Sequence, residues 1–187
     1  MSTQLFLIAL GGNLASKVGA PEITLRAALD ALSVHDVAVK AISRFFHTPC
    51  FPAGVGPDYV NAAAEVAFEG SPASLLRALH AVEAAFGRSR DQRWGQRTLD
   101  LDLLAADDVI LPDLATYREW RKLAPDSQKE LAPDTLILPH PRLQDRAFVL
   151  VPLADIVPDW CHPVTGLTVT EMVSNLPESD VAAVVAI

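Results

Sequence analysis

The spacing of hydrophobic and polar residues along the chain predicts four strands. Residues 5–10 form a continuous apolar run that ends at Gly11-Gly12-Asn13, which is typical of a buried strand followed by a turn. Residues 37–46 and 59–68 alternate and contain β-branched and aromatic residues, so we expect two strands joined by a loop rich in Pro and Gly. Residues 98–105 predict a fourth strand.

Apolar residues at helical spacing predict two helices between these strands. Residues 21–33 follow the first strand, and residues 71–87 follow the third. The second helix has an N-cap and a first-turn proline at Ser71-Pro72, and Gly87 ends its apolar stripe. The order is therefore βαββαβ, which is the order of a ferredoxin-like α+β fold with an antiparallel sheet and helices on one face.

The remaining segments are expected to belong to the same single domain, residues 1–187. Residues 112–134 are rich in charge, Pro and Trp and lie between two apolar stretches, which predicts a surface insertion. C-terminal additions are predicted as short helices at 146–156 and 168–176 and a last strand at 181–185. Their place relative to the sheet does not follow from the pattern.

Composition narrows the class of protein. Among 187 residues, 50% are hydrophobic and 20% are charged, as expected for one globular domain with one active site. The net charge of -8 argues against a nucleic-acid partner, so a phosphate site must be a local basic patch. Cys50 and Cys161 lack metal-binding or disulfide spacing, and the first apolar run is too short for a signal peptide or a membrane span. We therefore expect a cytoplasmic protein without a membrane partner.

Two carboxylates in the fourth predicted strand are the first candidates for chemistry. Leu99, Leu101 and Leu103 share one face of this strand, and Asp100 and Asp102 share the other. Two adjacent carboxylates suit divalent cations bridged to a polyphosphate. An isolated pair of this kind is more often a solvated strand face, but the residues beside it favour a site.

Arginines are concentrated immediately before the carboxylate pair. Arg88, Arg90, Arg93 and Arg97 place four of the fifteen Lys and Arg residues in ten positions of an acidic chain. Planar guanidinium groups bind phosphate oxygens in pairs and stabilise charge on a transferring phosphoryl group. The alternative is a solvated basic loop. The combination of arginines and carboxylates favours phosphoryl transfer.

Further polar residues could complete such a site. His140 and Arg146 could add donors to the same phosphates, although a histidine between prolines is more often structural. Tyr59 and Asn61 alternate on a predicted strand, so an aromatic plate and an amide face the same way and would suit a flat heterocycle. For Tyr59 the alternative is core packing.

The chain has no Walker motif, no GxGxxG and no GxSxG elbow, so any use of ATP must depend on the arginines and aspartates. Two other interpretations remain open from the residues. One is a Mg²⁺- or Mn²⁺-dependent nucleotidyl or glycosyl transferase that uses Asp100 and Asp102. The other is a non-catalytic ferredoxin-like binding module whose acidic surface recruits a protein partner, which would leave the arginine cluster unexplained.

The most specific motif of the chain is Arg93-Trp94-Gly95-Gln96-Arg97-Thr98-Leu99-Asp100-Leu101-Asp102-Leu103. It resembles the signature of the hydroxymethyldihydropterin pyrophosphokinases of folate biosynthesis. The supporting motifs are, in chain order, Leu10-Gly11-Gly12-Asn13, Thr48-Pro49, Pro57-Asp58-Tyr59-Val60-Asn61, Glu83 with Gly87-Arg88-Ser89-Arg90, Leu138-Pro139-His140-Pro141 and Arg146-Ala147-Phe148-Val149-Leu150. Together they span nearly the whole chain.

The resemblance implies a ferredoxin-like monomer that binds two Mg²⁺ ions and transfers pyrophosphate from ATP to a pterin alcohol, with AMP leaving. It implies that Asp100 and Asp102 hold both metal ions and that Arg88 and Arg97 stabilise the transferring group. The implied ATP-binding residues are Glu83, Arg90, Arg93, Trp94, Leu103, His140 and Arg146. The implied pterin-binding residues are Thr48, Pro49, Phe51, Tyr59, Asn61, Trp94 and Phe148, with the ring stacked between Tyr59 and Phe148.

The sequence departs from the family pattern at a few positions. Gln96 stands where the family usually has proline, Gly12 replaces a common serine, and the arginine loop is shorter by about one residue. The segment 112–134 exceeds the usual connection. Its residues with side chains suited to nucleotide binding could border the adenosine pocket or pack outside it; they are Arg118, Trp120 and Arg121.

Overall fold

The structure is a computed structural model that describes residues 3–50, 56–87, 97–124 and 133–187. Its strands are β1 (Gln4–Gly12), β2 (Ala38–Ile42), β3 (Phe46–Thr48), β4 (Tyr59–Phe68), β5 (Asp100–Ala106) and β6 (Val185–Ala186). Its α-helices are α1 (Pro21–Ala31), α2 (Pro72–Ala85), α3 (Leu114–Lys122), α4 (Ala147–Ile156), α5 (Val169–Ser174) and α6 (Glu178–Ala182). Short 3₁₀ turns follow α1 (Leu32–His35) and precede α4 (Leu143–Asp145).

The sheet is antiparallel, and its strand order is β5-β1-β4-β3-β6. Both β2 and β3 pair with β4, β2 near its C-terminal end and β3 near its N-terminal end. The predicted βαββαβ core is therefore confirmed.

The predicted strand at 37–46 is interrupted in the structure. Ser43 separates β2 from β3, and its hydroxyl accepts a hydrogen bond from the Ala63 amide at 2.9 Å. The next residue, Arg44, donates three hydrogen bonds to the Asp155 carboxylate of α4, two from its guanidinium at 2.9 and 2.8 Å and one from its backbone amide at 3.1 Å. Because these partners are distant in the chain, the interruption could not be predicted from local alternation.

Helices cover both faces of the sheet. One core cluster joins β1, β4 and β5 to α1 and α2, through residues such as Ile8, Leu25 and Leu79. The second cluster joins the other face to α4 and α5, through residues such as Leu7 and Leu150. The sequence predicted helices on one face only. The C-terminal additions cover the second face, and α4 is almost entirely apolar because it packs there.

Three helices begin with a recognisable start signal in the sequence. Pro21 opens α1, the Ser71 hydroxyl accepts from the Ser74 amide at the start of α2, and Thr168 and Glu171 form a capping box on α5. The predicted helix at 168–176 is thus confirmed in a slightly shorter form.

The predicted strand at 181–185 was wrong over most of its length. Residues Glu178–Ala182 form α6, with Pro177 before it and acidic residues in its first turn. Only Val185–Ala186 forms a strand, which pairs with β3 at the sheet edge. Among the described helices, none is both long and apolar enough to cross a membrane.

Candidate active site

Polar side chains gather at one end of the sheet, around a glycine of β1. Gly11 pairs with Asn61 of β4 on one side and with Asp100 of β5 on the other. Directly paired residues of antiparallel strands project to the same face, so Asn61 and Asp100 share a face about two strand spacings, roughly 10 Å, apart. Asp102 pairs with Ala9 and projects to that face too.

The glycine at position 11 keeps this part of the face open. A Cβ atom there would lie 2.9 Å from the Asn61 Oδ1 atom, closer than side chains normally approach. Asn61 is buried, and its amide donates a hydrogen bond of 2.6 Å to the Thr48 hydroxyl of β3. Gly11 therefore leaves space for an oriented amide.

Arg97 and Asp100 form an ion pair at the start of β5, with 2.5 Å between Nη1 and Oδ2. Both side chains are mostly buried, at 29% and 23% exposure. Burial lowers the pKa of the Arg97 guanidinium, but the charge and hydrogen bond of Asp100 outweigh burial and raise the pKa above its ordinary value. A permanent positive charge is thus held beside one carboxylate of the pair.

Tyr59 lies close to this ion pair. Burial raises the pKa of the Tyr59 hydroxyl, and the positive charge of Arg97 partly opposes that rise. Tyr59 alternates with Asn61 on β4, so the two side chains share a face as predicted. The aromatic ring, the amide and the arginine therefore border one region.

Asn13 connects the loops that carry these residues. Its side-chain oxygen accepts from the Arg97 amide at 2.8 Å, and its side-chain nitrogen donates to the Pro57 carbonyl at 3.1 Å. Its own amide donates to the Arg97 carbonyl at 2.9 Å. The sequence predicted Asn13 only as part of the turn after the first strand and of a supporting family motif, and no role in the site was predicted for it. The available signal was an asparagine directly after the two glycines that end the first strand; its burial is visible only in the structure.

A cavity of about 420 Å³ lies beside Asp102. Charged and polar residues in its lining include Asp102, His140, Arg142 and Arg146. Apolar and aromatic side chains complete it, among them Leu76, Leu103, Trp120 and Leu136. A cavity of this size that combines apolar side chains with convergent charges is typical of a small-molecule site.

His140 is held neutral within this cavity. Burial, followed by the charges of Arg146 and Arg142, lowers the pKa of its imidazole to about 3. The His140 Nδ1 atom accepts a hydrogen bond from the Arg142 amide at 3.1 Å, so the ring hydrogen is on Nε2. His140 can therefore donate one hydrogen bond from Nε2 at neutral pH without adding charge.

Arg146 supplies charge next to Asp102. Burial and the neighbouring Arg142 lower the pKa of the Arg146 guanidinium, and Asp102 opposes that change. The guanidinium carbon lies 5.7 Å from the centroid of the Phe148 ring, which is 41% exposed. Arg146 and Phe148 extend from the start of α4 toward the same end of the sheet.

The carboxylate pair has a donor set suited to Mg²⁺. Asp100 and Asp102 are half-buried neighbours on one face of β5. Mg²⁺ prefers oxygen ligands and commonly takes one or two protein carboxylates, the rest of its shell being water and substrate phosphate. Within the described ranges, no group of three or more His, Cys, Asp or Glu residues could form an all-protein metal cage. The residues fit a metal site completed by a polyphosphate.

Comparisons with known proteins identify the family of the chain. The family model described as 7,8-dihydro-6-hydroxymethylpterin-pyrophosphokinase (HPPK) matches residues 7–158. The chain belongs to the HPPK family. It is 34% identical over 171 residues to a 2-amino-4-hydroxy-6-hydroxymethyldihydropteridine pyrophosphokinase of Synechocystis sp., covering 91% of this chain and 75% of the relative. It is 35% identical to the Pseudomonas aeruginosa enzyme of the same name, covering 91% of this chain and 90% of that protein.

Solved structures support the HPPK fold. A Plasmodium falciparum HPPK-DHPS triple mutant with SDX-DHP superposes with a TM-score of 0.63 at 15% identity, covering 92% of this chain and 44% of that one. The wild-type Plasmodium falciparum HPPK-DHPS gives a TM-score of 0.59 with the same two coverages. This chain thus spans less than half the length of those two proteins.

Several residues predicted for the HPPK site lie together in the structure. Around the cavity and the neighbouring sheet face are Thr48, Tyr59, Asn61, Arg97, Asp100, Asp102, Leu103, His140, Arg146 and Phe148. Pro49 is exposed beyond β3. The buried Glu83 carboxylate accepts a hydrogen bond of 2.7 Å from the Leu101 amide and so connects α2 to β5. Phe51, Arg88, Arg90, Arg93 and Trp94 lie outside the described residues.

Proposed function

We propose that this protein transfers the pyrophosphoryl group of ATP to 6-hydroxymethyl-7,8-dihydropterin, giving the pterin diphosphate and AMP. Membership of the HPPK family supports the reaction and both substrates. The observation that carries the proposal is the position of the carboxylate pair. Asp102 lines the cavity with His140 and Arg146, while Asp100 pairs with Arg97 and lies in register with Asn61 across Gly11.

In this proposal the cavity beside Asp102 holds the nucleotide. Arg146 binds phosphate oxygens through its charge, and His140 donates from Nε2 to a phosphate oxygen without a change in protonation. Arg90 and Arg93 are proposed to add guanidinium groups to the same phosphates, and Arg88 to stabilise the transferring group. An in-line transfer needs alignment and charge neutralisation more than a covalent nucleophile, and this set of residues provides both.

Asp100 and Asp102 are proposed to hold two Mg²⁺ ions. When bound, Mg²⁺ would neutralise phosphate charge and polarise the attacking hydroxyl. Arg97 orients the Asp100 carboxylate through its ion pair and is also placed to stabilise charge that develops on the transferring group. In this proposal Asp100, Asp102 and Arg97 act on the same reacting atoms.

The pterin is proposed to bind on the sheet face next to Asp100. Asn61, held by Thr48, would read the edge of the ring, and Tyr59 and Phe148 would stack on its two faces. Pro49 and Phe51 would contribute backbone contacts, and Trp94 would close over both substrates. The roughly 10 Å between Asn61 and Asp100 suits a bicyclic ring whose hydroxymethyl group points at the metal pair.

We further propose that residues 1–187 act as one catalytic domain, monomeric and cytoplasmic. Support for a reducing compartment comes from Cys50 and Cys161, which are both free thiols. Light scattering coupled to gel filtration would test the monomer, since a mass near twice 20.1 kDa would indicate a dimer.

The first experiment is an assay of AMP release with ATP, Mg²⁺ and 6-hydroxymethyl-7,8-dihydropterin, with a control that lacks the pterin. We expect AMP only when the pterin is present. ADP in place of AMP would mean attack at the γ-phosphorus and a simple kinase. No nucleotide product would contradict the proposed reaction.

A further inference from the structure

We infer that Trp120 of α3 contacts the adenine base of bound ATP and strengthens nucleotide binding. This inference rests on the proposed function, because it requires the cavity beside Asp102 to be the nucleotide site. Trp120 belongs to the segment 112–134, which the sequence analysis predicted as a surface insertion. The side chain nevertheless lines the same cavity as Asp102, His140 and Arg146.

Two contacts fix α3 against the rest of the fold. Just before the helix, Leu111 and Leu138 form a bridge with N–H to O distances of 2.9 and 3.1 Å, two residues before His140 in the chain. Within the helix, Tyr117 is fully buried, and its hydroxyl lies 3.1 Å from the His162 Nε2 atom. The helix is therefore held to both the cavity wall and the C-terminal region.

The position of Trp120 follows from this anchoring. Trp120 lies three residues after the buried Tyr117, on the same side of the helix, and its half-buried side chain lines the cavity beside Asp102. Arg118 and Arg121 instead line a separate cavity with Lys122 and Val164. The sequence left open whether Arg118, Trp120 and Arg121 border the adenosine pocket or pack outside it. In the structure Trp120 lines the candidate nucleotide cavity, and the two arginines lie outside it.

The chemistry of the lining assigns the adenine to Trp120. The charged groups of the lining are clustered. Arg146 is close enough to Asp102 and Arg142 for their charges to change its pKa, and both arginines affect the pKa of His140. This cluster suits the phosphates of ATP. The apolar part of the lining includes Leu76, Leu103, Leu136 and Ile137. A purine has a flat apolar face, and an indole beside aliphatic side chains is suited to stack on it.

The test compares ligands that do and do not carry a base. Binding of a non-hydrolysable ATP analogue and of inorganic tripolyphosphate, each with Mg²⁺, is measured by calorimetry for the wild type, Trp120→Ala and Trp120→Phe. We expect Trp120→Ala to bind the ATP analogue roughly 10- to 100-fold more weakly, because base stacking on an aromatic residue is lost. Binding of tripolyphosphate should be unchanged. Trp120→Phe should retain most of the affinity for the analogue.

Glu119→Ala is the matched control, since Glu119 is an exposed neighbour on the same helix. It should bind both ligands as the wild type does. Unchanged affinity of Trp120→Ala for the ATP analogue would overturn the inference, and so would an equal loss for both ligands. If Trp120→Ala unfolds, Trp120→Leu is used in its place, because it keeps an apolar side chain. It should weaken binding of the ATP analogue but leave binding of tripolyphosphate unchanged.

The assay of AMP release separates this inference from the proposed function. A wild-type protein that binds the ATP analogue but releases no pterin-dependent AMP would contradict the proposed reaction, while the binding comparison would still decide the role of Trp120. A wild-type protein that binds no ATP analogue would overturn both.

Discussion

At the scale of single residues, Asn13 connects two loops that carry residues of the proposed site. It touches the amide of Arg97 and the carbonyl of Pro57, and so connects the loop before β5 with the loop before β4. Arg97 and Tyr59, which are proposed to act in the site, lie next to those two contacts. Asn13 can thus position two side chains of the site without being one of the residues proposed to contact substrate.

We predict that Asn13→Ala lowers both stability and activity. The change removes two part-buried hydrogen bonds, to the Arg97 amide and the Pro57 carbonyl, which should reduce the free energy of unfolding by about 1–3 kcal/mol. It should also lower kcat for AMP release, because Arg97 loses its support. Urea denaturation and steady-state kinetics measure the two effects. Asn175→Ala, at an exposed helix end, is the control, and equal behaviour of the two variants would contradict a special role for Asn13.

The carboxylates allow a second prediction. Asp100→Ala and Asp102→Ala should each lower turnover at saturating Mg²⁺ by at least about 100-fold. Each removes a proposed ligand of the Mg²⁺ ions, whose positive charge stabilises the transition state. Asp102→Ala should remain as stable as the wild type, since replacing one carboxylate relieves repulsion in the pair, whereas Asp100→Ala also removes the ion-pair partner of Arg97 and should be less stable. Asp108→Ala, at an exposed position after β5, should keep wild-type rates. A variant of the pair with wild-type turnover would exclude that residue from the metal site.

Gly11 allows a third prediction. A methyl group at this position would meet the Asn61 Oδ1 atom at 2.9 Å, and the flexible end of Asn61 can move to relieve the contact. We expect Gly11→Ala to fold but to raise the KM for the pterin roughly tenfold, the cost of about one hydrogen bond. The KM for ATP should change little. Equal effects on both substrates would mean that the substitution disturbs more than Asn61.

At the scale of elements, the sequence was most informative where local pattern decides structure. The strand predicted at 59–68 is β4, Tyr59–Phe68, and the predicted cap at Ser71 opens α2. The alternation that separated leucines from aspartates in β5 is confirmed as well, because the leucines lie in the core cluster. Strand and helix periods are properties of neighbouring residues, so they are visible without tertiary information.

Elements that depend on distant contacts were not predictable. The interruption between β2 and β3 rests on bonds from Ser43 to Ala63 and from Arg44 to Asp155. The same limit applied to the site. The aspartate pair was visible from its spacing, whereas the contact between Asn13 and Arg97 joins residues 84 positions apart. The α3 helix gave only a composition signal, since its anchor at His162 is 45 residues from Tyr117.

The anchor of α3 can be tested by Tyr117→Phe. The His162 Nδ1 atom accepts from the amides of Val164 and Thr165, so Nε2 carries the hydrogen and donates it to the Tyr117 hydroxyl. Removal of that hydroxyl leaves a buried donor unsatisfied and should destabilise the protein by about 1–3 kcal/mol. Hydrogen exchange should accelerate in α3 more than in β4. Uniform acceleration would mean that α3 does not open separately.

At the scale of the whole molecule, two neutral histidines make stability depend on pH. Burial lowers the pKa of His162 to about 4, and burial with neighbouring arginines lowers that of His140 to about 3, from 6.5. Below pH 6.5 the unfolded chain binds protons that the folded chain does not. The contribution of these residues is therefore complete above pH 6.5 and is lost as the pH falls toward 4 and 3.

We predict that His162→Gln flattens the dependence of stability on pH. His162 is fully buried, and its shift corresponds to about 3 kcal/mol lost between pH 6.5 and 4. The variant should be less stable than the wild type at pH 7, with the difference shrinking as the pH falls. Urea denaturation at several pH values measures this. An unchanged slope would mean that His162 does not contribute to the acid sensitivity.

The bridge between Leu111 and Leu138 allows the segment between these two residues to vary in length. It brings together the two ends of a long segment by backbone hydrogen bonds that do not depend on what lies between them. Closing a longer loop costs only about 0.6 kcal/mol for each doubling of its length. Additions at this point can therefore accumulate or disappear while β5 and His140 keep their positions. Related chains could thus vary the wall of the nucleotide cavity without rebuilding the residues proposed to carry out the transfer.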